Sequence, residues 1–188
     1  MPDLTPYYAE PGVKLYHGDC QEVLPLLGAI DVVLTDPPFG KETHSGARSL
    51  GRGDDRRGHN AIDFACTNAD ALREIFALCK PRRWCVSFIE WHFCSILESV
   101  PPAGLEFVRF GVWTKLNPMP QLTGDRPSMG WEALAIFHPP GKKHWNGGGA
   151  SAVYVHGTSR YGYFGASAHP TEKPLGLVKK LMTQFSDE

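Results

Sequence analysis

The order of apolar and polar positions along the chain alternates between the periodicity of strands and that of helices. Short apolar runs predict strands at 12–19, 29–36, 82–91, 105–115 and 130–138. Helical spacing predicts helices at 20–27, 68–80, 92–100 and 174–185. Strands separated by helices indicate an α/β fold, with a parallel sheet and helices on both of its faces. The last two strands are expected to be antiparallel neighbours.

Three segments add detail to this pattern. Residues 29–36 contain enough Val, Ile and Leu for a strand buried on both faces. Residues 40–60 are rich in glycine and charge without apolar periodicity, which predicts a mobile loop. Residues 139–168 are rich in Gly, Ser, Tyr and Trp and show little regular pattern.

Helix boundaries can be predicted from single residues. Asp19 is the expected N-cap of the helix at 20–27, with Glu22 three residues further on. Pro25 should shorten or bend this helix, and Pro174 should open the last helix at its first turn.

Polar residues follow two of the predicted strands, at 17–19 (HGD) and 35–39 (TDPPF). In open α/β sheets the ligand lies beyond the carboxyl ends of the strands. We expect these two strand ends to be adjacent and to border a ligand site together. The second segment can also be read as a simple way to end a strand and turn the chain.

The tetrad Asp36-Pro37-Pro38-Phe39 has a chemistry of its own. Two consecutive prolines form a stiff, extended segment whose carbonyl groups have no ladder partner. The Asp36 carboxylate and the Pro37 carbonyl would then be two acceptors at a fixed separation, and Phe39 would offer a flat apolar face. Such a set suits the exocyclic amino group of a nucleobase, held by stacking while its nitrogen attacks a carbon.

Five segments together resemble the β-class amino-group DNA methyltransferases that use S-adenosylmethionine. They are LYHGDCQEVLPLL (15–27), TDPPFG (35–40), VWTKLNPMP (112–120), GWEALAIFH (130–138) and HPTEKPLGLVKKLM (169–182). The resemblance implies a Rossmann-like methyltransferase sheet and methyl transfer to a base flipped out of double-stranded DNA. Asp rather than Ser at the first tetrad position favours adenine N6 over cytosine N4, and the reaction needs no metal.

The resemblance also implies roles for individual residues. The catalytic residues would be Asp36, Pro37, Pro38 and Phe39. The cofactor would be bound by Asp19, Cys20, Asp36, Thr171 and Lys173. Asp19 can also be read as a plain helix cap, and Lys173 as a surface charge at a helix start.

One element of the family pattern is missing between residues 1 and 188. The family's glycine-rich cofactor loop, D-P-F-x-G-S-G, should follow the last helix, and the glycine-rich stretch at 145–151 does not follow a buried strand. We therefore expect a single, partial methyltransferase domain, incomplete at its carboxyl end. A non-catalytic DNA-binding remnant, a cytosine-N4 enzyme and an enzyme acting on a protein amide nitrogen remain alternatives.

The net charge of −1 excludes a globally basic nucleic-acid binder, so DNA contacts must come from local basic patches. The candidates are Lys41, Arg48, Arg52, Arg56, Arg57, Lys142 and Lys143. The loop 40–60 can also be read as an ordinary charged surface. Residues 117–168 are the expected target-recognition region.

The five cysteines include no C-x-x-C pair of the kind found in zinc or redox sites. Cys79, Cys85 and Cys94 fall within apolar segments and are expected to be reduced core residues. No apolar run is long enough to span a bilayer, so a cytoplasmic protein is expected. An open sheet edge makes a homodimer plausible.

Overall fold

The computed structural model describes residues 4–40, 67–121, 124–158 and 171–187. Seven strands and four α-helices lie within these ranges. The strands are β1 (Tyr8–Glu10), β2 (Val13–Leu15), β3 (Ile30–Thr35), β4 (Pro81–Ile89), β5 (Glu106–Lys115), β6 (Trp131–His138) and β7 (Val153–His156). The helices are α1 (Cys20–Val23), α2 (Ala69–Cys79), α3 (Cys94–Ser99) and α4 (Leu175–Phe185), with short 3₁₀ turns at Leu24–Leu26 and Trp91–Phe93.

Five strands form one mixed sheet in the order β3-β4-β6-β5-β7. β3 pairs with β4 in parallel, and β5 pairs with β7 in parallel. β6 lies between β4 and β5 and is antiparallel to both, which confirms the predicted pairing of the last two strands. The carboxyl ends of β3, β4, β5 and β7 therefore share one edge of the sheet with the start of β6.

Helices cover both faces of the sheet, as predicted. On one face α4 packs through Leu177, Leu181 and Phe185 against β4, β6 and β7. On the other face α2 and α3 pack against alternate residues of β4 and β6. Because neighbouring strand residues point to opposite faces, each central strand is buried on both sides.

The strand predicted at 12–19 forms at Val13–Leu15, but its expected place in the central sheet is wrong. Within the described residues β2 pairs only with β1, in a separate antiparallel hairpin, and all six residues of that hairpin are exposed. β2 therefore contributes nothing to the central sheet. The strand that ends at Asp36 pairs with β4 instead.

Two further expectations need correction. No residue of β3 is fully buried, because β3 is an edge strand that pairs on one side only within the described residues. The expectation of burial on both faces is thus wrong for this strand. The segment 139–168 is also less irregular than expected, since β7 forms there and pairs with the end of β5.

The capping predictions mostly agree with the structure. The Asp19 carboxylate accepts a hydrogen bond from the Gln21 backbone N–H at 2.8 Å, which caps α1. Pro25 lies in the 3₁₀ turn that ends this helix after one turn. Pro174 precedes the first residue of α4 as its N-cap.

Candidate active site

The Asp-Pro-Pro-Phe tetrad follows β3 directly and lies at the carboxyl edge of the sheet. The Asp36 side chain is 38% exposed and so is not packed into the interior. Phe39 lines a cavity of about 160 Å³. The other lining residues come from the ends of β4 and β5 and from the start of β6: Ile89, Glu90, Trp91, Lys115, Met129, Trp131, Glu132 and Ala133.

Lys173 connects two members of the tetrad. Its Nζ lies 2.9 Å from Asp36 Oδ2 and 5.8 Å from the centre of the Phe39 ring. The same ammonium group lies 5.0 Å from the centre of the Phe88 ring, and its side chain is only 15% exposed. The partly buried cation thus contacts the acidic group and an aromatic face at once. The structure therefore places Lys173, predicted as a cofactor residue, against the Asp-Pro-Pro-Phe tetrad.

Glu132 extends this contact into an array of charges. Lys173 Nζ lies 3.2 Å from Glu132 Oε2, close enough for an ion pair although the contact lacks hydrogen-bond geometry. Lys115 Nζ lies 2.8 Å from the other Glu132 oxygen, and it lies 5.2 Å from the centre of the Trp113 ring. Asp36, Lys173, Glu132 and Lys115 therefore alternate in sign along the edge of the cavity.

A further carboxylate, Glu90, anchors the chain immediately after the tetrad. The Gly40 N–H donates to Glu90 Oε2 at 2.8 Å, and Glu90 is 4% exposed. The other Glu90 oxygen lies 2.9 Å from His92 Nδ1. A Cβ on Gly40 would lie 2.7 Å from the Glu90 oxygen, so a larger residue would have to displace this buried carboxylate. The tetrad is thus fixed at both ends, by Lys173 and by Glu90.

Charged groups of both signs meet at this edge. Within the described residues they are the carboxylates of Asp36, Glu90 and Glu132 and the ammonium groups of Lys115 and Lys173. Carboxylates beside a cavity favour a cationic ligand or a reaction in which positive charge develops.

The remaining predicted cofactor residues lie on the surface. Asp19 and Cys20 are exposed at the start of α1, where Asp19 acts as the predicted cap. Thr171 is exposed two residues before Lys173. A contact of these three residues with a cofactor stays a prediction.

The predicted DNA-binding residues fall into two groups. Lys41, Arg48, Arg52, Arg56 and Arg57 lie outside the described residues, as does most of the loop 40–60. Lys142 is exposed, and Lys143 Nζ pairs with Glu106 at 3.0 Å, at the start of β5 and opposite the Asp36 edge. The structure therefore does not bring Lys143 and Asp36 together. Within 117–168, β6 and β7 belong to the sheet. A role of this region in target recognition stays a prediction.

The described cysteines fit the prediction of reduced thiols. Cys79 and Cys85 are buried, Cys94 is half-buried and Cys20 is exposed, while Cys66 lies outside the described residues. Burial raises the pKa of the Cys79 and Cys94 thiols to about 11. The described part of the chain holds no cluster of three or more metal-ligating side chains. None of its helices is long and apolar enough to cross a bilayer.

Several residues at the cavity were not predicted. Lys115 and Glu132 lie in two of the quoted segments, VWTKLNPMP and GWEALAIFH, but these motifs gave them no role. Their pairing depends on the register between β5 and β6, in which Thr114 lies opposite Trp131. Glu90 could have been suspected as a carboxylate at the end of a very apolar strand.

Solved structures of DNA methyltransferases share this fold. A crystal structure of an M1.HpyAVI–SAM complex aligns with a TM-score of 0.57 and 19% identity, over 92% of this chain and 76% of that one. A crystal structure of M1.HpyAVI aligns with a TM-score of 0.56 and 17% identity, over 92% of this chain and 75% of that one. PvuII DNA methyltransferase (cytosine-N4-specific) aligns with a TM-score of 0.64 and 14% identity, over 93% of this chain and 70% of that one. No family model and no curated protein matches the chain. The protein therefore has the Rossmann-like methyltransferase fold.

Proposed function

We propose that the protein is an S-adenosylmethionine-dependent DNA methyltransferase that modifies the N6 amino group of a flipped adenine. The observation that carries this proposal is the position of the tetrad. Asp36 follows β3 at the carboxyl edge of the sheet, and Phe39 lines the adjoining cavity. The fold is shared with the M1.HpyAVI–SAM complex and with PvuII DNA methyltransferase, which supports a methyltransferase function.

In this mechanism the chain holds the target amino group and stabilises its charge. The Asp36 carboxylate and the Pro37 carbonyl accept its two N–H groups, which localises the nitrogen lone pair for attack on the methyl carbon. Phe39 stacks on the base, a contact worth about 1–3 kcal/mol. The nearby carboxylates of Asp36 and Glu132 stabilise the positive charge on nitrogen until the nitrogen loses one proton to solvent.

The residues present fit the proposed cofactor by their charge. S-adenosylmethionine, when bound, supplies a methyl group on a positively charged sulfur. Within the described residues Glu90 and Glu132 line the cavity, and carboxylates suit this positive charge. In the proposed role Asp19, Cys20, Thr171 and Lys173 border this cofactor, with Lys173 also holding Asp36.

Exposed apolar side chains surround the cavity and suit an extruded base. Trp91, Met129 and Trp131 line the cavity and are 47%, 52% and 37% exposed, respectively. Flipping a base costs a few kcal/mol, which stacking on such side chains can offset. The basic residues of the loop 40–60, together with Lys142 and Lys143, are proposed to contact phosphates of double-stranded DNA. Dimer formation is a further proposal, to be checked by analytical ultracentrifugation.

The test compares the wild-type protein with the variant Asp36→Ala. DNA incubated with S-adenosylmethionine carrying a labelled methyl group is digested, and its nucleosides are separated by mass spectrometry. The proposal predicts labelled N6-methyladenine with wild type and none with the variant, at an unchanged circular dichroism spectrum. Full activity of Asp36→Ala would remove Asp36 from the mechanism.

Cytosine N4 is the second candidate target, favoured by the similarity to the cytosine-N4-specific PvuII structure. Asp rather than Ser at position 36 favours adenine instead. The same digest distinguishes the two, since labelled N4-methylcytosine would identify a cytosine enzyme. Absence of any labelled base with wild type would favour a non-catalytic DNA-binding protein.

A further inference from the structure

A second cavity, of about 340 Å³, lies on the sheet face covered by α4. Trp84 lines it near the start of β4, whereas Ile89 lines the Asp36 cavity at the end of the same strand. Trp84 and Ile89 are five positions apart along β4, which corresponds to about 16 Å along the strand. The second cavity is thus distinct from the proposed active site, and its volume lies in the range of small-molecule sites.

Aromatic rings form the walls of the second cavity. The rings of Trp84, Trp145 and Phe185 meet edge to face, with centroids 5.0–6.4 Å apart. Both indole N–H groups are already bonded, Trp84 to the His144 carbonyl at 2.6 Å and Trp145 to the Gly148 carbonyl at 2.8 Å. These bonds fix the two indoles, so they present only apolar surface to a ligand. Such walls favour a flat ring.

The glycine-rich stretch at 145–151 explains how Trp145 reaches this position. A Cβ on Gly147 would lie 2.1 Å from the Trp145 ring, so the indole folds over the glycine backbone. The role of this stretch in the structure is therefore to form a wall of the cavity. No glycine-rich cofactor loop needs to be invoked for it.

A β-bulge turns a cationic side chain toward the cavity. The pairing of β5 with β6 shifts register between Phe107 and Arg109, and as a result the consecutive residues Val108 and Arg109 both line the cavity. In a regular strand they would point to opposite faces. Arg109 has no ion-pair partner among the described residues, whereas Lys143, also at the cavity, is neutralised by Glu106. The guanidinium of Arg109 is thus available to an anion.

A buried hydroxyl at the cavity lacks a partner. Tyr154 is 0% exposed and lines the cavity, yet its hydroxyl makes no hydrogen bond within the described chain. Burial raises the pKa of Tyr154, which keeps the hydroxyl protonated and able to donate. An unsatisfied buried hydroxyl is unfavourable, and a ligand acceptor that reached it would satisfy it.

We propose that this cavity binds a flat aromatic ring bearing an anionic group. The rings of Trp84, Trp145 and Phe185 hold the ligand ring, the Tyr154 hydroxyl donates to it, and Arg109 binds the anion. A mononucleotide and an aromatic carboxylate share this chemistry. The site goes beyond the proposed function, because it stands on residues remote from Asp36.

The test follows the five tryptophan indole N–H signals by NMR during titration of the protein with AMP, adenosine and indole-3-acetate. Trp84 and Trp145 report on the second cavity, and Trp91 and Trp131 on the active site. AMP or indole-3-acetate is expected to shift the first pair with a dissociation constant below about 1 mM. Tighter binding of AMP would identify a mononucleotide as the ligand, and tighter binding of indole-3-acetate would identify an aromatic carboxylate. Adenosine, which lacks the anion, should bind at least tenfold more weakly than AMP if AMP is the ligand.

Two variants and a control make the result specific. Arg109→Gln should weaken binding at least tenfold, and Tyr154→Phe, which keeps the ring, severalfold. Arg82→Gln, at an exposed arginine paired with Asp31, should leave it unchanged. The proposal is overturned if neither anion shifts Trp84 and Trp145, if only Trp91 and Trp131 respond, or if Arg109→Gln binds like wild type.

Discussion

Replacing Lys173 with methionine removes the cation that contacts the Asp-Pro-Pro-Phe tetrad. The side chain keeps its length, but the contacts to Asp36 at 2.9 Å and to Glu132 at 3.2 Å are lost. This edge of the sheet loses one positive charge, and the Asp36 and Glu132 carboxylates lose the ammonium group that both of them contact. Asp36 is left beside Glu132 without the charge that separates them.

The expected loss of stability follows from these distances and exposures. At about 3 Å and an effective dielectric of about 20, each attraction has a gross value of about 5 kcal/mol. Desolvation and solvent screening cancel most of this, since Asp36 is 38% exposed while Glu132 is 17% exposed. A net loss of about 2 kcal/mol remains, which lowers the Tm by about 4–8 °C for a domain of this size.

The assay combines thermal unfolding with single-turnover methyl transfer. Lys173→Met should slow methyl transfer about 10- to 100-fold, because a misplaced Asp36 no longer aligns the amino group. Arg82→Met is the matched control. It breaks an ion pair with Asp31 whose side chains are 64% and 73% exposed, so its Tm should change by no more than about 2 °C. A Lys173→Met protein as stable and as active as the control would refute the positioning role.

Two other predictions concern Gly40 and Cys20. Gly40→Ala places a Cβ 2.7 Å from Glu90 Oε2, so it should cost about 1–3 kcal/mol in a urea titration and slow methyl transfer. Gly28→Ala is the control, since no atom lies within 4 Å of its added Cβ, and it should leave the free energy of unfolding unchanged. If Gly40→Ala proved as stable as Gly28→Ala, the proposed clash with Glu90 would be contradicted. Cys20, which is exposed, should react with iodoacetamide at pH 8 far faster than Cys79, whose pKa is raised to about 11 by burial. S-adenosylhomocysteine should slow that reaction, as followed by peptide mass spectrometry, if Cys20 borders the cofactor.

Local signals in the sequence predicted most of the elements of the sheet. The apolar runs at 82–91 and 130–138 are buried central strands, and helical periodicity placed α2 within a residue or two. Periodicity contains no information on which strands pair. Residues 12–19 were therefore assigned to the sheet although β2 pairs only with β1. β7 was missed because it has only four residues and lies within a glycine-rich segment.

Contacts between side chains of the candidate site are likewise not encoded in local sequence patterns. The tetrad could be found because its residue types are unusual at the end of a strand. The ion pairs around it could not, since Lys115, Glu132 and Lys173 are separated along the chain by 17 and 41 residues and meet only through the β5–β6 register and the approach of α4. This arrangement has a consequence for specificity. In the proposed function Asp36 accepts from the base, and Lys173, which contacts Asp36, also contacts Glu132. A change at Glu132 should therefore alter methyl transfer without any contact to the base.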